Sequence, residues 1–210
     1  MSVAVKKLTW EDIQDFPEYH GRTEIVDGQL VMSPLPAPLH QLISQRLGEA
    51  IAPFVQSRDL GVFFSLPVHV ILDEHVHYEP DLSFLAKGRL RDLRVAAIHG
   101  APDLILEVIS ESNRKHDTVT KFQDYERYGV REYWLVDPAA RVIEVWHREG
   151  GKYGSLGRFG AGERVGQVRC ELCGEHPAVR AEYATQQPET PRRQNLDQSI
   201  ESRASAALTR

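Results

Sequence analysis

Three side chains, Asp81, Glu107 and Lys121, are of types that hold cations or move protons, and they stand in stretches that do not read as surface. Glu107 lies inside Leu104–Ile109, LILEVI, an almost wholly apolar run bounded by Pro102 and by a polar cluster at Ser110–Asn113. That run predicts a central strand. A carboxylate inside such a strand costs several kcal/mol when unpaired. Period-two alternation sets Asp103, Ile105 and Glu107 on one face and Leu104, Leu106 and Val108 on the other. Glu107 therefore needs a partner, most simply a cation.

The elements that must bring partners to it can be read on either side. Val62–Ile71 is strand-like, Asp73–His77 a polar hairpin-type connection, and Tyr78–Leu85, YEPDLSFL, a second apolar strand entered through Pro80-Asp81. Asp81 is then a second carboxylate at the start of a buried strand. After Glu107 the chain predicts a helix from about Asp117 to Tyr128, with Lys121, Tyr125 and Tyr128 on one face. It is long enough to lay Lys121 back over the strand.

The rest of the chain supplies a sheet and its cover. Leu8–Phe16 predicts a short helix capped by Thr9, and Glu24–Met32 a hairpin turning at Asp27-Gly28. Alternation leaves Glu24 facing either solvent or the site. Pro34, Pro36 and Pro38 stiffen the entry to a helix over Leu39–Gln56, whose stripe of Leu39, Leu42, Ile43, Leu47, Ala50, Ile51 and Phe54 packs on a sheet. Glu132–Asp137 and Arg141–His147 predict two further strands, and Lys152–Phe159 an edge strand. The expected fold class is α/β, a mixed central β-sheet flanked by helices.

The blocks EIVDGQLVMSPLPAPLHQ, EPDLSFL, PDLILEVISES and KFQDYERYGVREYWLVDP, in this order and spacing from about Thr23 to Phe159, resemble the Uma-two family of restriction endonucleases. Asp81, Glu107 and a nearby lysine likewise resemble the wider PD-(D/E)XK nuclease superfamily. The resemblance implies a restriction-endonuclease-like fold, a nuclease domain over residues 1–160 and DNA as partner, with a homodimer to cut both strands. It implies Asp81 and Glu107 as ligands of Mg²⁺ or Mn²⁺, Lys121 and Glu24 as further catalytic residues, and His40 and Tyr125 as supporting groups. One position departs from the superfamily pattern: its lysine belongs two residues after the acid, where this chain has Ile109. In the resembled family a helical lysine substitutes, and the resemblance implies Lys121 in that place here.

Such a constellation suits phosphodiester hydrolysis, a hard cation polarising the phosphate and acidifying a water while the lysine orients that water, helps deprotonate it or stabilises the developing charge. Each residue also has a purely structural role open to it. Asp81 can cap a strand entry, Lys121 can be a solvated helix lysine, and Glu107 can form a salt bridge with Lys121 alone. Asp103 reads as a strand-end residue, Asp117 and Asp124 as helix-surface or capping groups. The alternative to a nuclease is a catalytically silent module of the same fold that binds nucleic acid or protein.

Composition bounds these readings. The chain has 210 residues, 41% hydrophobic and 26% charged, with a formal net charge of −5, proportions of a soluble globular domain. A dedicated nucleic-acid coat protein is usually basic, so the net charge argues against tight non-specific DNA binding, although an enzyme whose clustered acids are neutralised by metal can be acidic overall. Two cysteines make no disulfide scaffold, and without a leader or an apolar run of membrane-spanning length the expected location is cytoplasmic, with no membrane partner. His69, His75 and His77 read as a solvated hairpin. Cys170, Cys173 and His176 supply one ligand too few for a structural zinc. Residues 161–184 read as a C-terminal extension of no assigned role and 185–210 as a disordered tail.

Overall fold

The computed structural model of the chain describes residues 6–14, 21–160 and 163. The expected extension over 161–184, the tail over 185–210, the Cys170–His176 motif and the end of the first predicted helix lie outside these residues, Glu163 excepted. That helix, α1 (Trp10–Ile13), begins where expected: the Asp12 carboxylate accepts from both the backbone N–H and the hydroxyl of Thr9.

Next come β1 (Gly21–Val26) and β2 (Gln29–Pro34), the predicted hairpin. Asp27 and Gly28 take φ of 49° and 78°, the left-handed pair that matches a two-residue turn to strand twist. The proline-led helix α2 (Pro38–Ser57) follows. Its Ile43, Leu47, Ile51 and Val55, four residues apart, are buried together with Leu104, Leu106 and Val108, which is the apolar face assigned to the central strand. Each such side chain taken from water stabilises the fold by roughly 1.5–3 kcal/mol.

Two predicted strands are each broken in two. Val62–Ile71 is β3 (Gly61–Phe64) and β4 (Val70–Asp73), parted by residues 65–69, where Pro67 has no N–H for a ladder. Tyr78–Leu85 is the end of β5 (Val76–Tyr78) and most of β6 (Leu82–Ala86), with Glu79-Pro80-Asp81 between. The break is a change of sheet. β5 belongs to a five-stranded sheet ordered β2-β1-β5-β4-β7, with β7 at Ile98–His99, whereas β6 belongs to a six-stranded one. The six-stranded sheet runs β11-β10-β9-β8-β6-β3, from β8 (Leu104–Val108), β9 (Glu132–Asp137), β10 (Val142–Glu149) and β11 (Lys152–Gly160). Two sheets therefore stand where one mixed sheet was expected, and the fold class, mixed α/β, holds.

β8 and β9 are parallel neighbours, so the chain between them must cross over a sheet face. It does so through a π-helical turn, His116–Lys121, continued by α3 (Phe122–Tyr128) and closed by Gly129 at φ 92°. On that face Tyr125 packs with Ile105, Ile109, Tyr133 and, from the other sheet, Val76 and Tyr78. Among the described residues no helix is long and apolar enough to cross a membrane.

Candidate active site

β6 and β8 pair antiparallel with Leu82 opposite Leu106, so one further step sets Asp81 beside Glu107. Backbone and side chains lace the two together: the Val108 N–H donates to Asp81 Oδ2 at 2.7 Å and the Asp81 N–H to Glu107 Oε2 at 3.4 Å. Asp81 thus stands where the chain passes from one sheet to the other, and Glu107 at mid-sheet. Both are buried, at 2% and 1% exposure.

The crossover lays Lys121 on Glu107, as the sequence predicts. Its Nζ lies 2.9 Å from Glu107 Oε1, 3.0 Å from Glu24 Oε1 and 3.5 Å from Asp117 Oδ1. Tyr125, one turn on, donates its hydroxyl to Glu107 Oε1 at 3.0 Å. Glu24 faces the site rather than solvent, its Oε1 accepting the Glu79 N–H and its Oε2 2.7 Å from His116 Nε2. His40, in the first turn of α2, reaches Asp81 Oδ2 at 3.0 Å. All six residues singled out, Asp81, Glu107, Lys121, Glu24, His40 and Tyr125, are brought together.

Asp117 is a correction. It is 5% exposed and beside Lys121 rather than on the helix surface, because residues four apart share a helix face and this one is turned inward with the lysine. Asp124 accepts the Tyr78 hydroxyl at 2.5 Å, tying α3 to β5. Three residues escaped the sequence reading. Arg22 pairs with Asp81 and lies 3.9 Å from Glu107 Oε2; it shares a β1 face with Glu24, two residues on, and that alternation was the signal for it. His116 and Glu79 join only through partners distant in sequence, for which no local signal exists.

The electrostatics follow from three acids around one ammonium. Burial disfavours the charge on Lys121, but Glu107, Glu24 and Asp117 outweigh it and hold the ammonium well above its usual range. For Glu107 burial wins: Lys121 offsets only part of it, Asp81 and Asp117 add repulsion, and the carboxyl is pushed up to about 7. Burial likewise raises Asp117. Glu24 goes the other way, to about 2, since Lys121 and His116 overcome its burial. Asp81 is also lowered to about 2, its burial outweighed by the His40 hydrogen bond and the Arg22 charge.

Asp81, His40 and Arg22 end a cleft of about 810 Å³ that runs along α2 past Ser44, Gln45 and Pro53 to Leu66 and Pro67. Of the clustered acids, Asp81 is the one that lines this cleft. Asp81 and Glu107 offer an all-carboxylate donor set, of the hardness that Mg²⁺ or Mn²⁺ takes. Both acids already converge on a positive group, the Arg22 guanidinium, so the gap between them is one that accepts a cation.

A fold of this kind, with buried acids and a lysine gathered where two sheets meet, is restriction-endonuclease-like. The Uma2 family model, described as "Putative restriction endonuclease", matches residues 10–170, most of the chain. The chain belongs to the Uma2 family. Its structure is similar to the crystal structure of a "putative nuclease belonging to DUF820" from Anabaena variabilis, with a TM-score of 0.68 and 18% identity over 84% of this chain and 97% of that one. At that identity the likeness establishes the fold alone. No curated protein matches the chain.

Proposed function

We propose that the protein is a metal-dependent endonuclease that hydrolyses phosphodiester bonds in DNA. The observation that carries this reading is the convergence of Glu107, Glu24 and Lys121 on one another beside Asp81, which lines an open cleft, supported by membership of a family described as "Putative restriction endonuclease". Asp81 and Glu107 would hold Mg²⁺ or Mn²⁺. The ion, when bound, supplies Lewis acidity toward the phosphate and lowers the pKa of a bound water.

The chain's own groups do the rest. Lys121, kept protonated by three carboxylates, acts as a donor and not as a base: it orients the attacking water or stabilises charge on the phosphate. Tyr125 and Glu24 hold that ammonium and Glu107 in place. Arg22 lines the cleft, and once freed from the acids its guanidinium suits a phosphate oxygen pair. His40 fixes Asp81 at the cleft end.

A second reading, a silent binding module, is supported by Arg22 between the acids and by Ile109, at the superfamily's lysine position, lying in the apolar cluster with Tyr125. One experiment separates the two. Purified protein is incubated with plasmid and with single-stranded DNA in Mg²⁺, in Mn²⁺ and in chelator. The nuclease reading expects metal-dependent nicking that falls by roughly 100- to 1,000-fold or more in Glu107→Gln; absence of cleavage from folded protein under every condition would replace it with the module.

A further inference from the structure

His69, His77 and Glu79 form a second group on the far side of the Glu79 backbone from Lys121, and the expectation of a solvated hairpin fails for His77. His77 is 1% exposed within β5, against its neighbours in the five-stranded sheet. His69 Nδ1 is 3.0 Å from His77 Nε2 and 3.4 Å from Glu79 Oε1, and the three ligand atoms all lie within 4.8 Å of one another. We propose that these three residues form a binding site for a divalent transition metal of the zinc class, separate from the Asp81–Glu107 pair.

The spacing is that of ligands about a common ion. Two donors each about 2.0–2.1 Å from a tetrahedral metal are about 3.3 Å apart, close to both distances measured from His69 Nδ1. Two imidazoles and one carboxylate select zinc-like ions over Mg²⁺, which prefers the oxygen set beside Lys121. Burial lowers both histidines from their ordinary value, so each is neutral with a lone pair to give. The site is also oriented: the Thr23 N–H donates to Glu79 Oε1 at 3.1 Å, and Trp10 packs against His69 and His77 at ring separations of 4.6 and 4.9 Å. The His69 side chain, 39% exposed, leaves the outer side open for a fourth ligand. Glu79 stands two residues before Asp81, and its N–H donates to Glu24. An ion here would pin the segment that crosses between the sheets.

The test uses the full chain carrying Cys170→Ser and Cys173→Ser, so that those thiols take no zinc. Zn²⁺ is titrated in by calorimetry, with tryptophan fluorescence followed in parallel because Trp10 covers two of the ligands. One tight zinc per chain is expected, ahead of any weaker event at the acidic pair, with the affinity of that tight step unchanged in Glu107→Gln and weakened more than about 100-fold in His77→Gln and His69→Ala. His69 is partly exposed, so His69→Ala keeps the test decisive should His77→Gln fail to fold by circular dichroism. Undiminished binding in His69→Ala, binding lost in Glu107→Gln, or no zinc bound by the parent chain would each overturn the proposal. The readout is independent of DNA cleavage, so failure of the nuclease reading leaves it intact.

Discussion

One face of a single short stretch carries two buried carboxylates, Asp103 just before β8 and Glu107 within it, 0% and 1% exposed, and they are satisfied in opposite ways. Asp103 accepts the Ala86 N–H at 2.8 Å and faces Arg89 at 3.4 Å and Arg131 at 3.6 Å. Two cations and a backbone donor serve one acid, and both arginine side chains reach solvent, at 28% and 53% exposure. Around Glu107 the ratio is reversed: Glu24 and Asp117 compete with it for one ammonium. Burial alone therefore does not mark a working acid. An excess of carboxylates beside a cleft does, because it leaves negative charge that another cation can satisfy.

The pair of amides Glu107→Gln and Asp103→Asn tests this contrast most strongly. Glu107→Gln keeps the shape and removes the charge, so cleavage should collapse while the fold survives. Asp103→Asn should leave cleavage within a few-fold of the parent and instead lower unfolding stability by about 1–3 kcal/mol, through weakened bonds to Ala86 and the arginines. Plasmid nicking and urea unfolding on both variants measure this; equal activity losses would erase the distinction.

The next effect in size belongs to the cations. Lys121→Met strands three buried acids and should cost about 3–5 kcal/mol in urea unfolding, the range for breaking a buried pair. Arg131→Met removes one of two exposed cations from Asp103 and should cost no more than about 1 kcal/mol. A small loss in Lys121→Met would mean that Arg22 and His116 neutralise the cluster without it.

How much of this contrast is legible in a sequence depends on the range of the interaction that makes it. LILEVI announces its strand and its charged residue locally, and the four-residue spacing of Ile43, Leu47, Ile51 and Val55 announces the helix that covers it. Lys121 and Tyr125 could be set on one face from helical periodicity alone. The two sheets could not be told apart, since Val62–Ile71 and Tyr78–Leu85 look continuous and only the partner strands reveal that each is divided. Arg22, His116 and Glu79 act on residues 55 to 92 positions away, whereas Asp117, four residues before Lys121, shares its inward face and was open to the same periodicity.

Acidity gives a third and smaller test. Glu107 ordinarily titrates near 4.5 and is held at about 7 here, so across that interval the folded chain keeps a proton that the unfolded chain releases. The contribution of Glu107 to stability, present below 4.5, should therefore be lost as pH rises through 7, by on the order of 1–3 kcal/mol. Glu24 and Asp81 act in the opposite sense: their contribution is present above 4.5 and 3.8 and is lost as pH falls through about 2. Burial of His69 and His77 adds stability over the same interval in every variant, so urea midpoints from pH 4.5 to 7.5 are read as differences from Glu107→Gln, and these should decline for the parent and for Asp103→Asn. The same slope in all three would assign it to another group.

The smallest effect separates holding the acid from using it. Tyr125→Phe deletes one neutral hydrogen bond to Glu107 Oε1 and leaves the ring in its packing against Tyr78 and Tyr133, at centroid separations of 5.3 and 5.0 Å. Lys121 still occupies that oxygen, so the acceptor is not orphaned and the stability cost should be about 1 kcal/mol. The hydroxyl nevertheless stabilises the charged form of Glu107. Its loss should push the carboxyl further up and carry the decline in stability to higher pH, whereas nothing near Asp103 would move. A pH profile identical to the parent would show that Lys121 alone governs the charge of Glu107, and that the tyrosine serves the core rather than the site.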